Sequence, residues 1–376
     1  MATITHIFKT YFPDTYGGLE EAIRQIGKYS IYKGFDVNVI SISRNPQEIV
    51  LDGIRCHSYK RTCGISTMPI SYNFMRQFKK IVETSDIIQL HYPFPFAEII
   101  TLCQSVKKPI IVTFHGEIIG RNALLNCYHP FVRKLFDKVD VIVPTSQNLV
   151  TSTSILQKFE SKLYIINLWL DQDRFEHLSD VDEEFKAQIK LYNDFSLFVG
   201  ALRWYKGLDV LLDAAKQVKG NILIVGKGPE GKYLEERIKK EKITNVFLLG
   251  FQPDERVAYL FKQCKFFVLP SQTRGECFGQ VLLEASYYKK AMISTELGTG
   301  TSFVNKNGLT GYVVQPGDPK ELANKMNKLF WNEELCISLG ENAYKYYNSH
   351  FTENIQGEKY VDLYKKLLDR SFTKKN

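Results

Sequence analysis

Short runs of β-branched and aromatic residues recur along this chain: ITHIF, DVNVISI, DIIQLH, PIIVTFH, VDVIVP and KLYII in the first half, then FSLFVG, NILIVG, NVFLLG, KFFVLP and AMIST in the second. Most are apolar throughout, without the polar face of a strand that meets water on one side. Amphipathic, charged segments separate them. Strands covered by helices on both faces have this pattern, so each half is expected to form an α/β, doubly wound, Rossmann-like domain.

A chain of 376 residues exceeds one ordinary α/β core, and domains of about 150–200 residues make two the natural number. The acidic stretch DQDRFEHLSDVDEE at 171–184 interrupts the strand rhythm, which restarts at Phe195. The expected division is 1–178, 179–350 and a final helical segment, 351–376, that packs back on the first domain. The balance of 49 basic against 41 acidic residues, net +8, is too mild to indicate nucleic acid, but leaves phosphates or an anionic membrane face open. Cys56, Cys63, Cys103, Cys127, Cys264, Cys277 and Cys336 form an odd set without C-x-x-C, as expected of reduced thiols in the cytoplasm. No stretch approaches 18 consecutive apolar residues, so the expected location is cytoplasmic, with peripheral contact at the inner membrane face as the alternative.

GKGPEG, at 226–231, satisfies G-x-G-x-x-G between a strand and a helix, the spacing that brings a pyrophosphate to a helix N-terminus. A nicotinamide site also needs an acidic residue at the end of the next strand; here that strand ends in Leu249, Gly250 and Phe251. The acid is missing. Pro229 suits a first helical turn, so the segment reads as a glycine turn and a proline-started helix, either with a ligand or as a plain turn.

More chemistry resides in PSQTRGECFGQVLLEA at 270–285. It places Glu276 in a turn and Glu284 two turns into a helix, with Gly275 and Gly279 around the first. Such a pair can address two parts of one ligand while free N–H groups at the helix start face an anion. Read alone, Glu284 also fits a solvated helix residue, and Glu276 a charge favoured by the helix dipole.

Together these segments resemble the retaining glycosyltransferases of family 4 over nearly the whole chain. That family has the GT-B arrangement, two Rossmann-like domains facing a cleft, and carries E-x7-E where Glu276 and Glu284 stand, including Phe278 and Gly279. The resemblance implies that Glu276 contacts donor-sugar hydroxyls and Glu284 the nucleotide ribose, with Phe278, Gly279 and Gln280 among the donor-binding residues. In FVGALRWYKGLDVLLDA, Lys206 and Gly207 match the family's K-G, but the usual arginine position holds Ala201. Arg203, two residues on, is the substitute expected to clamp the departing diphosphate with Lys206. Its alternative is a surface arginine. Gly226 and Gly228 match the family's G-x-G-P nucleotide loop, which would place Gly250 and Phe251 near the base.

In the first half, Gly17 and Gly18 resemble the family's G-G loop beside the donor phosphates and acceptor, or else form a plain turn. TFHGE resembles its T-x-H segment, whose histidine contacts the donor sugar, making His115 the candidate; His91, at another strand end, is the second. The domains are expected to close over the donor and bring Glu276 and His115 together. No metal or other cofactor is expected, because the DQD and DVD runs lie in the acidic linker rather than at a strand end. SYNFMRQFKKIVET (71–84) and NALLNCYHPFVRKLFDKV (122–139) are basic, aromatic helices that suit either an anionic membrane or ordinary packing on the sheet.

The wording of ELGTGTSFVN most resembles bacterial polysaccharide mannosyltransferases, which implies GDP-mannose as donor and a lipid-linked oligosaccharide as acceptor, in O-antigen or capsule synthesis. The alternatives are a UDP-sugar-dependent glycosyltransferase of the same fold, a sugar-nucleotide epimerase, or a noncatalytic sugar-nucleotide-binding protein.

Overall fold

In the computed structural model of the chain, residues 1–65, 68–118 and 123–373 are described, with the side chains of 123–127 and 370–373 excepted. Asn122, the Cys127 side chain and the tail beyond Thr373 therefore lie outside the described residues. The chain forms two units, Met1–Trp169 with Glu353–Asn376, and Leu170–Thr352.

The first unit runs β1 (Thr3–Ile7), α1 (Gly18–Tyr32), β2 (Asp36–Ser43), β3 (Glu48–Leu51), β4 (Ile54–Lys60), β5 (Cys63–Ile65), β6 (Met68–Ile70) and α2 (Tyr72–Glu83). It continues with β7 (Ile87–Tyr92), α3 (Pro95–Cys103), β8 (Ile110–Phe114), α4 (Ala123–Lys138), β9 (Val141–Pro144), α5 (Gln147–Ser152) and α6 (Ser154–Gln157). Its seven-stranded sheet has the order β3-β4-β2-β1-β7-β8-β9, parallel except for β3. Strands β7 and β8 are buried at every position, the consequence of cover on both faces.

The second unit runs α7 (Asp173–Glu176), α8 (Glu183–Lys190), β10 (Phe195–Val199), α9 (Leu208–Ala215), β11 (Asn221–Val225), α10 (Gly231–Lys240), β12 (Val246–Gly250) and α11 (Asp254–Gln263). There follow β13 (Phe266–Leu269), α12 (Gln280–Tyr287), β14 (Ala291–Thr295), α13 (Thr301–Val304), β15 (Gly311–Val314), α14 (Pro319–Trp331) and α15 (Glu333–His350). Its all-parallel sheet, β12-β11-β10-β13-β14-β15, reverses direction of winding between β10 and β13. In open α/β sheets, ligands bind outside the carboxyl ends of the strands at such a switch point.

The last helix, α16 (Glu353–Thr373), belongs to the first unit. Tyr360, Val361, Tyr364 and Leu367 join Ile23, Ile26 and Tyr29 of α1 in one core. The Tyr364 hydroxyl donates to Gln89 Oε1 at 2.5 Å, and Gln89 Nε2 donates to Thr113 Oγ1 at 2.8 Å, so the helix is tied to strands through buried polar groups. The division falls after Trp169 rather than residue 178. Trp169 is buried against Tyr29 and Tyr360 of the first unit, whereas Phe175 meets Tyr287 and Tyr288 of the second.

Two readings of the sequence change, and an open one is partly decided. KLYII is not a strand: it passes beside β9 through the single bridge Ile142↔Leu163, while Lys162 Nζ turns to the carbonyls of Phe136, Asp137 and Val139. Strand β4, IRCHSYK, mixes polarity, and β3, EIVL, and β15, GYVV, are only four residues each; none of the three is among the apolar runs read from the sequence. In α2, Phe74 and Phe78 are core residues, leaving Tyr72, Met75, Arg76, Lys79 and Lys80 exposed.

Glu98 is buried in α3, where its carboxylate accepts from Phe94 N–H at 2.5 Å and from the Tyr128 hydroxyl of α4. Burial pushes its pKa up to about 7, against the pull of those two donors and Lys9. Between pH 4.5 and 7 the unfolded chain has released this proton and the folded chain retains it, so Glu98 makes stability fall as pH rises through that window. The unfolding free energy of Glu98→Gln, relative to the unsubstituted protein, should therefore rise by about 3 kcal/mol between pH 4.5 and 7.5. Urea titrations across that range check this; a difference independent of pH would contradict it.

Candidate active site

The second unit gathers its chemistry at the switch point. After β10 the chain makes a 3-10 turn, Trp204–Lys206, and after β13 it enters the loop that holds Glu276. Gly207, with φ of +69°, lets these loops touch: a Cβ there would stand 2.0 Å from the Pro270 carbonyl oxygen. Gln272 N–H donates to Tyr205 O at 2.7 Å and closes the contact. As a result the Lys206 ammonium forms an ion pair with the Glu276 carboxylate, both largely buried.

Ser271 Oγ donates to the same carboxylate at 3.0 Å, and Thr299 Oγ1 donates to the Glu276 main-chain oxygen at 2.8 Å. Burial alone lowers a lysine's pKa; here Glu276 and Tyr205 outweigh it and hold the Lys206 ammonium above its ordinary value. Lys206 is thus kept cationic, ready to meet negative charge.

The glycine turn of GKGPEG packs against the same loop. Gly226, with φ of +142°, would place a Cβ 1.9 Å from Gly200 O, and Gly228 one 2.3 Å from Leu202 O. Leu202 N–H donates to Lys227 O at 3.1 Å, and Gly226 N–H to Gly250 O at 2.8 Å. These glycines stack successive strand-end loops and set the height of the Arg203–Lys206 turn. Phe251 lies just beyond, 65% exposed, with Lys227 Nζ 5.8 Å from its ring centre.

Helix α12 starts after Gly279, which has φ of +76° and supplies no side-chain cap. Its first N–H groups remain available to an anion, and no acidic residue stands in that turn. Gln280 Nε2 is buried without a partner among the described residues, a donor awaiting an acceptor. Glu284 is the fifth residue of this helix, so it lies one turn in rather than two. Phe278 packs into the core against Phe351, and a Cβ on Gly300 would come within 2.7 Å of its Cα; its ring supports the loop. Arg203 is exposed, with no ion pair among the described residues.

In the first unit, Gly17 and Gly18 are exposed, and Gly17 caps α1 with no side-chain hydrogen bond. The loop is held by Glu20, whose carboxylate accepts from Thr10 Oγ1 at 3.1 Å and Thr15 Oγ1 at 2.6 Å. His115 follows β8 directly and is 1% exposed. His91 is fully buried, and both its ring nitrogens are engaged, with His6 Nδ1 and His115 Nε2, each at 2.9 Å. Its ring therefore has no nitrogen left for a ligand. Ser271 and Thr299 lie inside the quoted segments PSQTRGECFGQVLLEA and ELGTGTSFVN, and His6 inside ITHIF, but nothing at their own positions announces a partner that arrives from another part of the chain.

Residues 16–174 match the family described as Glycosyltransferase Family 4, and residues 180–346 match Glycosyl transferases group 1. The O-antigen chain mannosyltransferase C of Escherichia coli is 34% identical over 97% of this chain and 99% of its own. The chain belongs to the family 4 glycosyltransferases. The D-rhamnosyltransferase WbpZ of Pseudomonas aeruginosa is 33% identical over 93% of this chain and 92% of its own. Among solved structures, Anabaena HepE in complex with UDP and glucose superposes with a TM-score of 0.77 at 16% identity, covering 97% of this chain and 100% of that one, a likeness of fold. As a family 4 glycosyltransferase, the protein is an enzyme of glycosyl transfer built from two Rossmann-like units.

The ion pair makes a testable demand. Lys206→Met leaves Glu276 buried opposite Ser271 alone and should destabilise the fold by about 3 kcal/mol. Lys206→Met combined with Glu276→Gln should cost less than Lys206→Met alone, since the stranded charge is gone. Denaturant titrations of the two single variants and the double variant measure the coupling; additive effects would show that the pair contributes no interaction energy.

Proposed function

We propose that this glycosyltransferase moves a mannosyl group from GDP-mannose to a lipid-linked oligosaccharide during O-antigen-type polysaccharide assembly, with retention at the anomeric carbon and no essential metal. The similarity over nearly its full length to the O-antigen chain mannosyltransferase C carries this reading. UDP-sugar dependence is the alternative, favoured by the fold likeness to a protein solved with UDP.

In this mechanism the second unit holds the donor. The departing diphosphate gains negative charge as the glycosidic bond breaks, so Lys206 and the open N-terminus of α12 stabilise the transition state more than the ground state. Arg203, exposed two residues before Tyr205, adds a second cation. Glu276 accepts hydrogen bonds from donor-sugar hydroxyls and Glu284 holds the ribose. In the first unit, the Gly17–Gly18 loop offers backbone N–H groups and His115 contacts a sugar hydroxyl. The acceptor hydroxyl attacks the face the diphosphate leaves, and the leaving phosphate takes its proton. A protein-supplied cation makes a divalent ion dispensable, so transfer should persist in EDTA.

Among the described residues no helix is long and apolar enough to cross a membrane. A lipid-linked acceptor nevertheless requires the enzyme to reach a bilayer, and α2 exposes Tyr72, Met75, Arg76, Lys79 and Lys80 at helical spacing on one face. A helix face that exposes an aromatic and a methionine side chain among three cations suits peripheral contact with an anionic inner membrane face.

Thermal stabilisation separates the donors, because a ligand that binds the folded state raises stability as its concentration exceeds its Kd. GDP-mannose should raise Tm more than any UDP-sugar, and Lys206→Ala should lower kcat about 100-fold or more. A shift with UDP-sugars alone would overturn the donor; donor isomerised without transfer would indicate an epimerase, and binding without turnover a noncatalytic protein. For the membrane reading, flotation with phosphatidylglycerol vesicles should carry the protein upward and fail for Arg76→Glu/Lys79→Glu/Lys80→Glu. Equal flotation of both would reject that surface.

A further inference from the structure

His6 on β1, His91 on β7 and His115 after β8 form a continuous chain across three adjacent strands. His6 Nδ1 lies 2.9 Å from His91 Nε2, and His91 Nδ1 lies 2.9 Å from His115 Nε2. Successive rings are nearly parallel, with centroids 5.2 Å apart in both pairs. All three are buried, and the two terminal nitrogens, His6 Nε2 and His115 Nδ1, have no partner among the described residues.

The protonation state follows from burial. Desolvation lowers the pKa of His6 and of His115 to about 3, and that of His91 well below the ordinary value, so the rings are neutral near pH 7. Each neutral ring carries one N–H. Two protons occupy the two shared hydrogen bonds, and the third must sit at one end of the chain. Only two arrangements keep both bonds: every N–H points toward His115, or every N–H points toward His6.

The ends are not equivalent. His6 lies within β1, whereas His115 lies one residue past β8, at the carboxyl edge where α/β sheets receive ligands. A buried N–H without an acceptor is rarer than a buried acceptor without a donor. The bare lone pair therefore belongs at His6 Nε2, and the free N–H at His115 Nδ1, where a ligand oxygen can accept it.

We propose that His6 and His91 are positioning residues that fix His115 in its Nδ1–H form and thereby make it a hydrogen-bond donor to an oxygen of the bound sugar. This rests on the reading that His115 contacts a sugar, but the arrangement of protons is a property of the free protein. It sets a specificity: an oxygen able to accept is held, and a substituent without a lone pair at that position is refused.

The test uses the full chain labelled with 15N-histidine, with ring signals assigned through single substitutions and tautomers read from long-range 1H–15N spectra. His115 should show the Nδ1–H pattern, unchanged between pH 6 and 8. In His6→Asn the amide Nδ2 takes the place of Nδ1–H, so the His115 pattern and kcat should be kept. In His6→Leu the chain loses its anchor: His115 should become a mixture of tautomers and kcat should fall about ten-fold, the worth of one hydrogen bond.

An Nε2–H pattern for His115 in the unsubstituted protein overturns the proposal, as does an identical His115 pattern in His6→Leu and His6→Asn. If His6→Leu does not fold, the pattern of the unsubstituted protein decides alone. Correct tautomers in a protein that transfers no sugar would remove the sugar reading and leave the relay; sugar transfer with His115 as Nε2–H would remove the relay and leave the reading.

Discussion

A parallel sheet buried on both faces leaves its strand ends as the place where polar groups can meet a ligand, and the placing of the polar groups in both units follows from that constraint. Both sheets place their polar machinery at the carboxyl edge: Lys206 and Glu276 follow β10 and β13, and His115 follows β8. The same constraint explains α16. A sheet in the first unit needs helical cover on each face, and the last segment of the chain supplies part of it through Tyr360, Tyr364 and Leu367.

Within that edge, close backbone approach does the positioning. The loops after β10, β11 and β13 stack at distances that no side chain would allow, which is why Gly207, Gly226 and Gly228 face carbonyl oxygens. The glycine fingerprint, whatever it binds, is thus the spacer on which the Arg203–Lys206 turn rests. The two roles are compatible, since one side of a loop can pack while the other stays open.

Much of this was legible in the residues. Apolar runs identified most strands of both sheets, and the E-x7-E and K-G segments identified the loops that carry charge. The failures have physical causes. The edge strands β3 and β15 are only four residues each, too short to mark a run, and β4, one strand in from the edge, mixes polarity. KLYII has strand-like residues, but Lys162 is drawn to the exposed carbonyls at the end of α4. Phe74 and Phe78 were visible as an aromatic helix, yet which face meets the core depends on what packs there.

The sequence by itself determined the two α/β halves, the membership in family 4 and the loops that hold Glu276, Lys206 and His115, because periodicity and motif spacing are local properties of the chain. Only the tertiary structure decided which of these groups touch. Lys206 and Glu276 are 70 residues apart, and His6 is 85 from His91; each pair meets because strands distant in the chain lie side by side in a sheet. Sheet order is set by which buried surfaces fit together, and that is a property of the whole core rather than of any segment.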